Sequence, residues 1–182
     1  MLVKKTISES AGGSCYHLNY SLYWLFMELG FKCTLISGYL SRFDFDHMAV
    51  VVELEQPYLV DVGFGEFFFR RPIPLNGDVL KDMSGDYRVI TDEIYPDRFL
   101  LQQRKKDRWR TRYSFDLKQR QLKDFEQTYR WLADNPNAYK ANLMLRKHLK
   151  NGFISLYNNK LTIIEDDIVR RIQIPKHLVL IT

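Results

Sequence analysis

The sequence predicts an α+β fold, in which an N-terminal helix feeds an antiparallel β-barrel or sandwich. Three observations predict it. Leu18, Leu22, Leu25, Phe26 and Leu29 recur at spacings of three and four, which is a helical stripe. From residue 31 the pattern changes to short β-branched runs separated by turn signals. The chain has 182 residues, enough for one domain with a sizeable core.

In chain order, the small polar stretch SESAGGS (8–14) reads as a loop. It leads straight into the helix, 15–29, which Gly30 can cap. FKCTLISGYL, FDFDHMAVVVEL and PYLVDVGFG read as three strands, the last two joined as a hairpin by Glu55-Gln56-Pro57. FFFRRPIPL leaves the sheet through Pro72 and Pro74. Segments 86–90, 98–103 and 108–116 read as further short strands. A second helix is expected over 121–133, where Leu122, Phe125, Tyr129 and Leu132 keep helical spacing up to Asn135-Pro136-Asn137. NGFISLYNN and KLTIIED read as strands turning at Asn158-Asn159, before the apolar ending IPKHLVLIT.

Composition excludes several classes. Aromatics at 14% and hydrophobics at 46% argue against a disordered chain. A net charge of +5 falls short of a dedicated nucleic-acid binder, so nucleic acid is not an expected partner. One basic run, from Arg98 to Arg120, is read as a solvated strand face, with a phosphate-attracting patch as its alternative. No stretch approaches a membrane span, and MLVKKTISES lacks the apolar core of a secretion signal. Two cysteines, Cys15 and Cys33, fit a reducing, cytoplasmic setting in which both thiols stay free. Their distant spacing makes a zinc site improbable, and no metal is expected. Neither a phosphate-binding loop nor a dinucleotide fingerprint is present.

The chemistry therefore centres on Cys15. At a helix start the free backbone N–H groups and the macrodipole favour an anion, which suits a nucleophilic thiolate. Gly12 and Gly13 allow close backbone approach there. The bland alternative is a small buried residue at a helix start. Such a nucleophile needs a base and the base an orienter. Of the four histidines, His17 points elsewhere on the helix, His148 lies in the basic run RKHLK and His177 in the tail. His47 opens the apolar strand MAVVV, though on local sequence alone an exposed loop-end histidine is the more ordinary reading. Asp61, inside YLVDVGFG, is an acid in an apolar strand and needs a partner. Hairpin geometry does not supply His47 directly. A two-residue turn puts the pair on opposite faces, and a three-residue loop is expected to leave them about 13 Å apart along the ladder. A bulge, a wider loop or strong twist is then required. Gly63 and Gly65 flank Phe64 in a turn that can present a ring beside the reacting centre; the alternative is a core Phe at a strand end. Phe67, Phe68 and Phe69 read as core.

Three ordered blocks, GGSCYHLN with LYWLFMELGF, HMAVVVEL and YLVDVGFG, resemble the arylamine N-acetyltransferases. YSFDLKQRQLKDFEQTYRWLADNP and SLYNNKLTI extend the likeness over most of residues 11–164. The resemblance implies a Cys15–His47–Asp61 catalytic triad with a cysteine-protease-like core, and an acceptor-binding turn at Gly63, Phe64 and Gly65. It implies acetyl-CoA as acetyl donor, a thioester on the cysteine, and a small aromatic amine or hydrazine as acceptor. The implied architecture is a short helical N-terminal remnant (1–30), a central antiparallel β-barrel (31–116) and a partial α/β lid (117–182). The chain departs from the family at Ala11, where an Arg is usual, and at His17, where a Glu or Gln is usual. It is also shorter than family members at both ends. A truncated, inactive remnant that self-associates through exposed apolar surface or works with a partner is therefore a competing expectation. So is a related cysteine acyltransferase or amide synthase with another acceptor.

Overall fold

The computed structural model describes residues 12–40, 44–65, 69–135, 144–166 and 168–179. The readings placed on the first eleven residues, Phe67, Phe68, Pro136, Asn137 and residues 180–182 lie outside them. The chain divides into two compact units, Met1–Trp131 and Leu132–Thr182.

The first unit opens with helix α1, Cys15–Glu28. Its end is a Schellman turn. Gly30 takes φ 82°, its N–H donates to Met27 O at 3.0 Å, and Phe31 N–H donates to Phe26 O at 2.9 Å. The Phe26 and Phe31 rings meet at 5.5 Å and complete the motif. The leucine stripe is not the buried face. Tyr16, Asn19 and Ser21 are its buried residues: Asn19 bonds the sheet at Met48 O and Tyr16 packs on Phe125, while Trp24, Leu25, Met27 and Leu29 are exposed.

Eight antiparallel strands follow: β1 Lys32–Tyr39, β2 His47–Glu53, β3 Pro57–Val60, β4 Ile73–Pro74, β5 Leu80–Asp82, β6 Gly85–Thr91, β7 Phe99–Lys105 and β8 Arg108–Phe115. Their order, β4-β3-β2-β1-β8-β7-β6-β5, curls until β4 packs on β6, giving a nearly closed barrel. The barrel-or-sandwich alternative thus resolves to a barrel. β4 and β5, of two and three residues, are too short for periodicity to reveal. Ile36, Ala49, Val51, Leu59, Leu101 and Tyr113 belong to the interior cluster. Met48, Val50 and Val52, on the opposite face of β2, are also buried, and α1 covers β1 and β2. Burial on both faces explains the unbroken apolar run MAVVV.

The expected second helix begins as a 3-10 turn, Leu122–Phe125, and continues as α2, Glu126–Asp134. Gln121 and Asp124 cap it reciprocally, with Gln121 N–H donating to Asp124 Oδ2 at 2.7 Å.

The second unit is a meander of β9 Met144–Leu149, β10 Gly152–Tyr157, β11 Lys160–Glu165 and β12 Ile168–Gln173. Asn158, at φ 53°, makes the expected turn between β10 and β11. β9 contains the basic run that sequence marks only as a solvated face; His148 is exposed on it. No described helix is long and apolar enough to cross a membrane.

Candidate active site

Cys15 stands at the first position of α1 and is half-buried. His47 is the first residue of β2 and only 2% exposed, so it is no loop-end histidine. Asp61 follows directly on β3 and is 1% exposed. His47 Nε2 lies 2.7 Å from Asp61 Oδ2, and Cys15 lies beside the same ring, close enough to interact with it electrostatically. With Nε2 committed to Asp61, Nδ1 is the nitrogen left for the thiol. The structure therefore brings all three residues together.

The expected separation of about 13 Å is wrong, and the register gives the reason. Glu53 pairs with Pro57 and Val50 with Val60, around the three-residue loop Leu54–Glu55–Gln56. Extended past Val60, this register sets Asp61 across from Ala49, only two residues from His47 and on the same face. Such a diagonal spans about 7–8 Å, within reach of an imidazole and a carboxylate. The pairing runs without a bulge. The chain then leaves the sheet because Asp61 Oδ1 accepts Gly63 N–H at 2.9 Å and Asn19 Oδ1 accepts Val62 N–H at 2.8 Å.

Two residues that sequence reading missed complete the shell. Tyr113 Oη donates to Asp61 Oδ2 at 2.9 Å, and Asn19 Nδ2 donates to Asp61 Oδ1 at 2.8 Å. The carboxylate so receives four donors, which makes its burial tolerable. Asn19 lies one helical turn beyond Cys15, a spacing legible in CYHLN. Tyr113 alternates with Phe115 on β8 and left no local signal.

Glycines make room for this packing. Gly38 pairs with His47, and a Cβ there would sit 3.0 Å from His47 Cδ2. A Cβ on Gly63 would lie 2.5 Å from Cys15 Cα, so the aspartate turn closes directly on the cysteine. The Phe64 ring stands edge-on to His47 at 5.2 Å and to Tyr113 at 5.0 Å. Gly65, at φ 60°, ends the turn.

Electrostatics follow from burial and pairing. Burial opposes a charged imidazole, but the Asp61 and Cys15 charges and hydrogen bonds outweigh it and push His47 up to about 10. Burial likewise opposes the Asp61 charge. His47 and the donors from Asn19 and Gly63 prevail and hold it below the usual carboxylate range. Tyr113 is pushed well up by burial and by Asp61, so it remains a donor.

His17, on the same helix, is engaged elsewhere. His17 Nδ1 lies 2.9 Å from Ser14 Oγ, and its ring packs on Tyr129 at 5.8 Å. His177 is exposed. In the basic run, Arg104 pairs with Asp86, Arg120 binds Asp116 at 2.9 Å, and Arg98 lies over Tyr39 at 4.6 Å.

The sequence pattern of the family described as N-acetyltransferase matches residues 1–178. The chain is 28% identical over 174 residues to the uncharacterized acetyltransferase YvcN of Bacillus subtilis, covering 91% of this chain and 68% of that protein. It is 28% identical over 158 residues to the arylamine N-acetyltransferase of Escherichia coli, covering 82% of this chain and 55% of that protein. The chain thus spans about half to two-thirds of the length of such curated relatives. Among solved structures, the arylamine N-acetyltransferase of Salmonella typhimurium superposes with a TM-score of 0.85 at 24% identity, over 96% of this chain and 66% of that one. The Mycobacterium marinum arylamine N-acetyltransferase in complex with CoA gives 0.80 at 22% identity, over 96% and 68%. At these identities the structures speak for the fold, and the match over residues 1–178 speaks for descent: the chain belongs to the arylamine N-acetyltransferase family.

Proposed function

We propose that this chain carries the acetyl-transfer centre of an acetyl-CoA-dependent arylamine N-acetyltransferase, with Cys15 as nucleophile, His47 as base and Asp61 as orienter. The observation that carries the reading is the buried 2.7 Å His47–Asp61 pair, with Cys15 beside the same imidazole at the start of α1. Cys15 is half-buried while His47 and Asp61 are sealed, so the sulfur is the member of the set that a substrate can reach.

In the proposed reaction, His47 takes the Cys15 proton and the sulfur attacks the acetyl carbonyl carbon of acetyl-CoA. The bond to the CoA sulfur breaks, and that sulfur leaves with a proton from His47. Cys15 then holds the acetyl group as a thioester, which divides one acyl transfer into two easier steps. In the second step His47 accepts the proton lost by an attacking aromatic amine or hydrazine nitrogen. The bond from the acetyl carbon to Cys15 Sγ breaks, the sulfur keeps the electron pair as the free cysteine, and the N-acetyl product leaves. Phe64, flanked by Gly63 and Gly65, is the acceptor-facing element, because its ring already lies against His47. Two free cysteines fit work in the reducing cytoplasm.

The test is arylamine acetylation from acetyl-CoA by the wild type and by Cys15→Ser, with folding monitored by circular dichroism. The reading expects turnover that disappears in Cys15→Ser. Turnover retained in Cys15→Ser, or none in a folded wild type, overturns it.

A further inference from the structure

We propose that Asn19 is a positioning residue: a polar clamp that sets the cysteine helix in register with the histidine and aspartate strands. The inference rests on the active-site reading above. Asn19 is fully buried on α1, one turn beyond Cys15. Its Nδ2 donates to Met48 O at 2.6 Å and to Asp61 Oδ1 at 2.8 Å, while its Oδ1 accepts Val62 N–H at 2.8 Å. Met48 adjoins His47 in β2, and Val62 adjoins Asp61. One side chain on the nucleophile's helix therefore grips both of the segments that carry its partners.

Three features make a clamp necessary. The far half of α1 is held from one side, since Trp24, Leu25 and Met27 on its outward face are exposed, while its first turn also meets Phe125 and Tyr129 through Tyr16 and His17. Apolar contact with β1 and β2 is non-directional and tolerates sliding. Hydrogen bonds do not tolerate it, because their strength falls steeply with distance and angle. The clamp also demands Asn. It uses two N–H donors and one carbonyl acceptor on a short arm; Asp has no donor, Ser too few, and Gln adds a methylene. The gap it sets is narrow: a Cβ on Gly63 would meet both Cys15 Cα at 2.5 Å and Asn19 Nδ2 at 2.9 Å. A displacement of about 1 Å at such a centre costs on the order of 100-fold in rate.

The test uses iodoacetamide alkylation of Cys15, followed by peptide mass spectrometry to separate it from Cys33, across pH 6–10. The groups facing the thiol and imidazole among the described residues are His47, Asp61 and Tyr113. The wild-type rates set the reference profile across that range. Asn19→Ala, folded by circular dichroism, alkylates about 10- to 100-fold more slowly at pH 7. Its rate-versus-pH profile differs in shape from the wild type's, because the thiol no longer meets the imidazole in the same geometry. Asn19→Gln does not restore the wild-type profile, and Asn19→Asp, which sets a second carboxylate against Asp61, is slower than Asn19→Ala. A folded Asn19→Ala with the wild-type rate and profile overturns the inference. Failure of both Asn19→Ala and Asn19→Ser to fold overturns it too, since Asn19 is then a structural residue. Alkylation consumes no acetyl donor, so the two readings separate. A wild type without transferase activity but with Asn19-dependent alkylation loses only the proposed function.

Discussion

Asp61→Asn is the sharpest perturbation of the buried pair. The carboxylate is 1% exposed and its two oxygens take donors from His47 at 2.7 Å, Tyr113 at 2.9 Å, Asn19 at 2.8 Å and Gly63 at 2.9 Å. An amide keeps the shape but turns one acceptor into a donor, and it removes the charge opposite the imidazole. Breaking a buried pair from one side costs about 3–5 kcal/mol. The protonation balance points the same way. Without Asp61, burial opposes a charged His47 with Cys15 as its remaining charged neighbour, so its pKa falls from about 10. The pH dependence has a definite sign. His47 is raised, so its contribution is whole below about pH 6.5 and drains as pH rises through about 10. Asp61 is lowered, so its contribution is whole above pH 3.8 and is lost as pH falls through its folded value. Urea unfolding of both proteins from pH 3 to 10 measures this. The gap between them should plateau between about pH 4 and 6.5 and shrink on either side. An Asp61→Asn protein within about 1 kcal/mol of wild type at pH 6 would refute the reasoning, as would a gap that stays constant up to pH 10.

Three further outcomes follow from the same geometry. His47→Gln should slow acetylation of Cys15 by about 100- to 10,000-fold, read by quenched-flow mass spectrometry; a rate within tenfold of wild type would remove His47 as the base. Tyr113→Phe deletes one hydroxyl donor to a buried carboxylate and should cost about 1.5–3 kcal/mol in urea unfolding at pH 7, whereas no loss would mean the hydroxyl does not support Asp61. Gly63→Ala should cost about 1–3 kcal/mol through the clash with Cys15 Cα. Gly12→Ala, where nothing lies within 4 Å, should be near neutral, and equal losses at both positions would contradict the packing described here.

Much of this site is legible in the sequence because each member sits in a locally unusual context. Cys15 follows paired glycines at a helix start, His47 opens a strand buried on both faces, and Asp61 breaks an apolar one. The resemblance of those blocks to one family then orders them. What stays hidden is non-local. The His47–Asp61 diagonal depends on a register set by a three-residue loop, and a ladder estimate misplaces it by two residues. Tyr113 reaches Asp61 from a strand 52 positions later, which no window of sequence displays. The α1 stripe misleads for a related reason. Periodicity marks Leu25 and Leu29 as inward, yet both are exposed, and it is Asn19 that bonds the sheet, at Met48 O. A polar residue is buried there because its hydrogen bonds, not its hydropathy, decide its place.

The central claim is that an acetyl group passes through the Cys15 sulfur, and rapid-quench labelling tests it most directly. The protein is mixed with acetyl-CoA, quenched at successive times and digested, and an arylamine is added in a second mix. One acetyl group is expected, on the Cys15 peptide alone, formed before any product and lost as N-acetylarylamine appears in equal amount. Product that accumulates while Cys15 stays unmodified, or acetyl carried on Cys33 or a lysine instead, would contradict it.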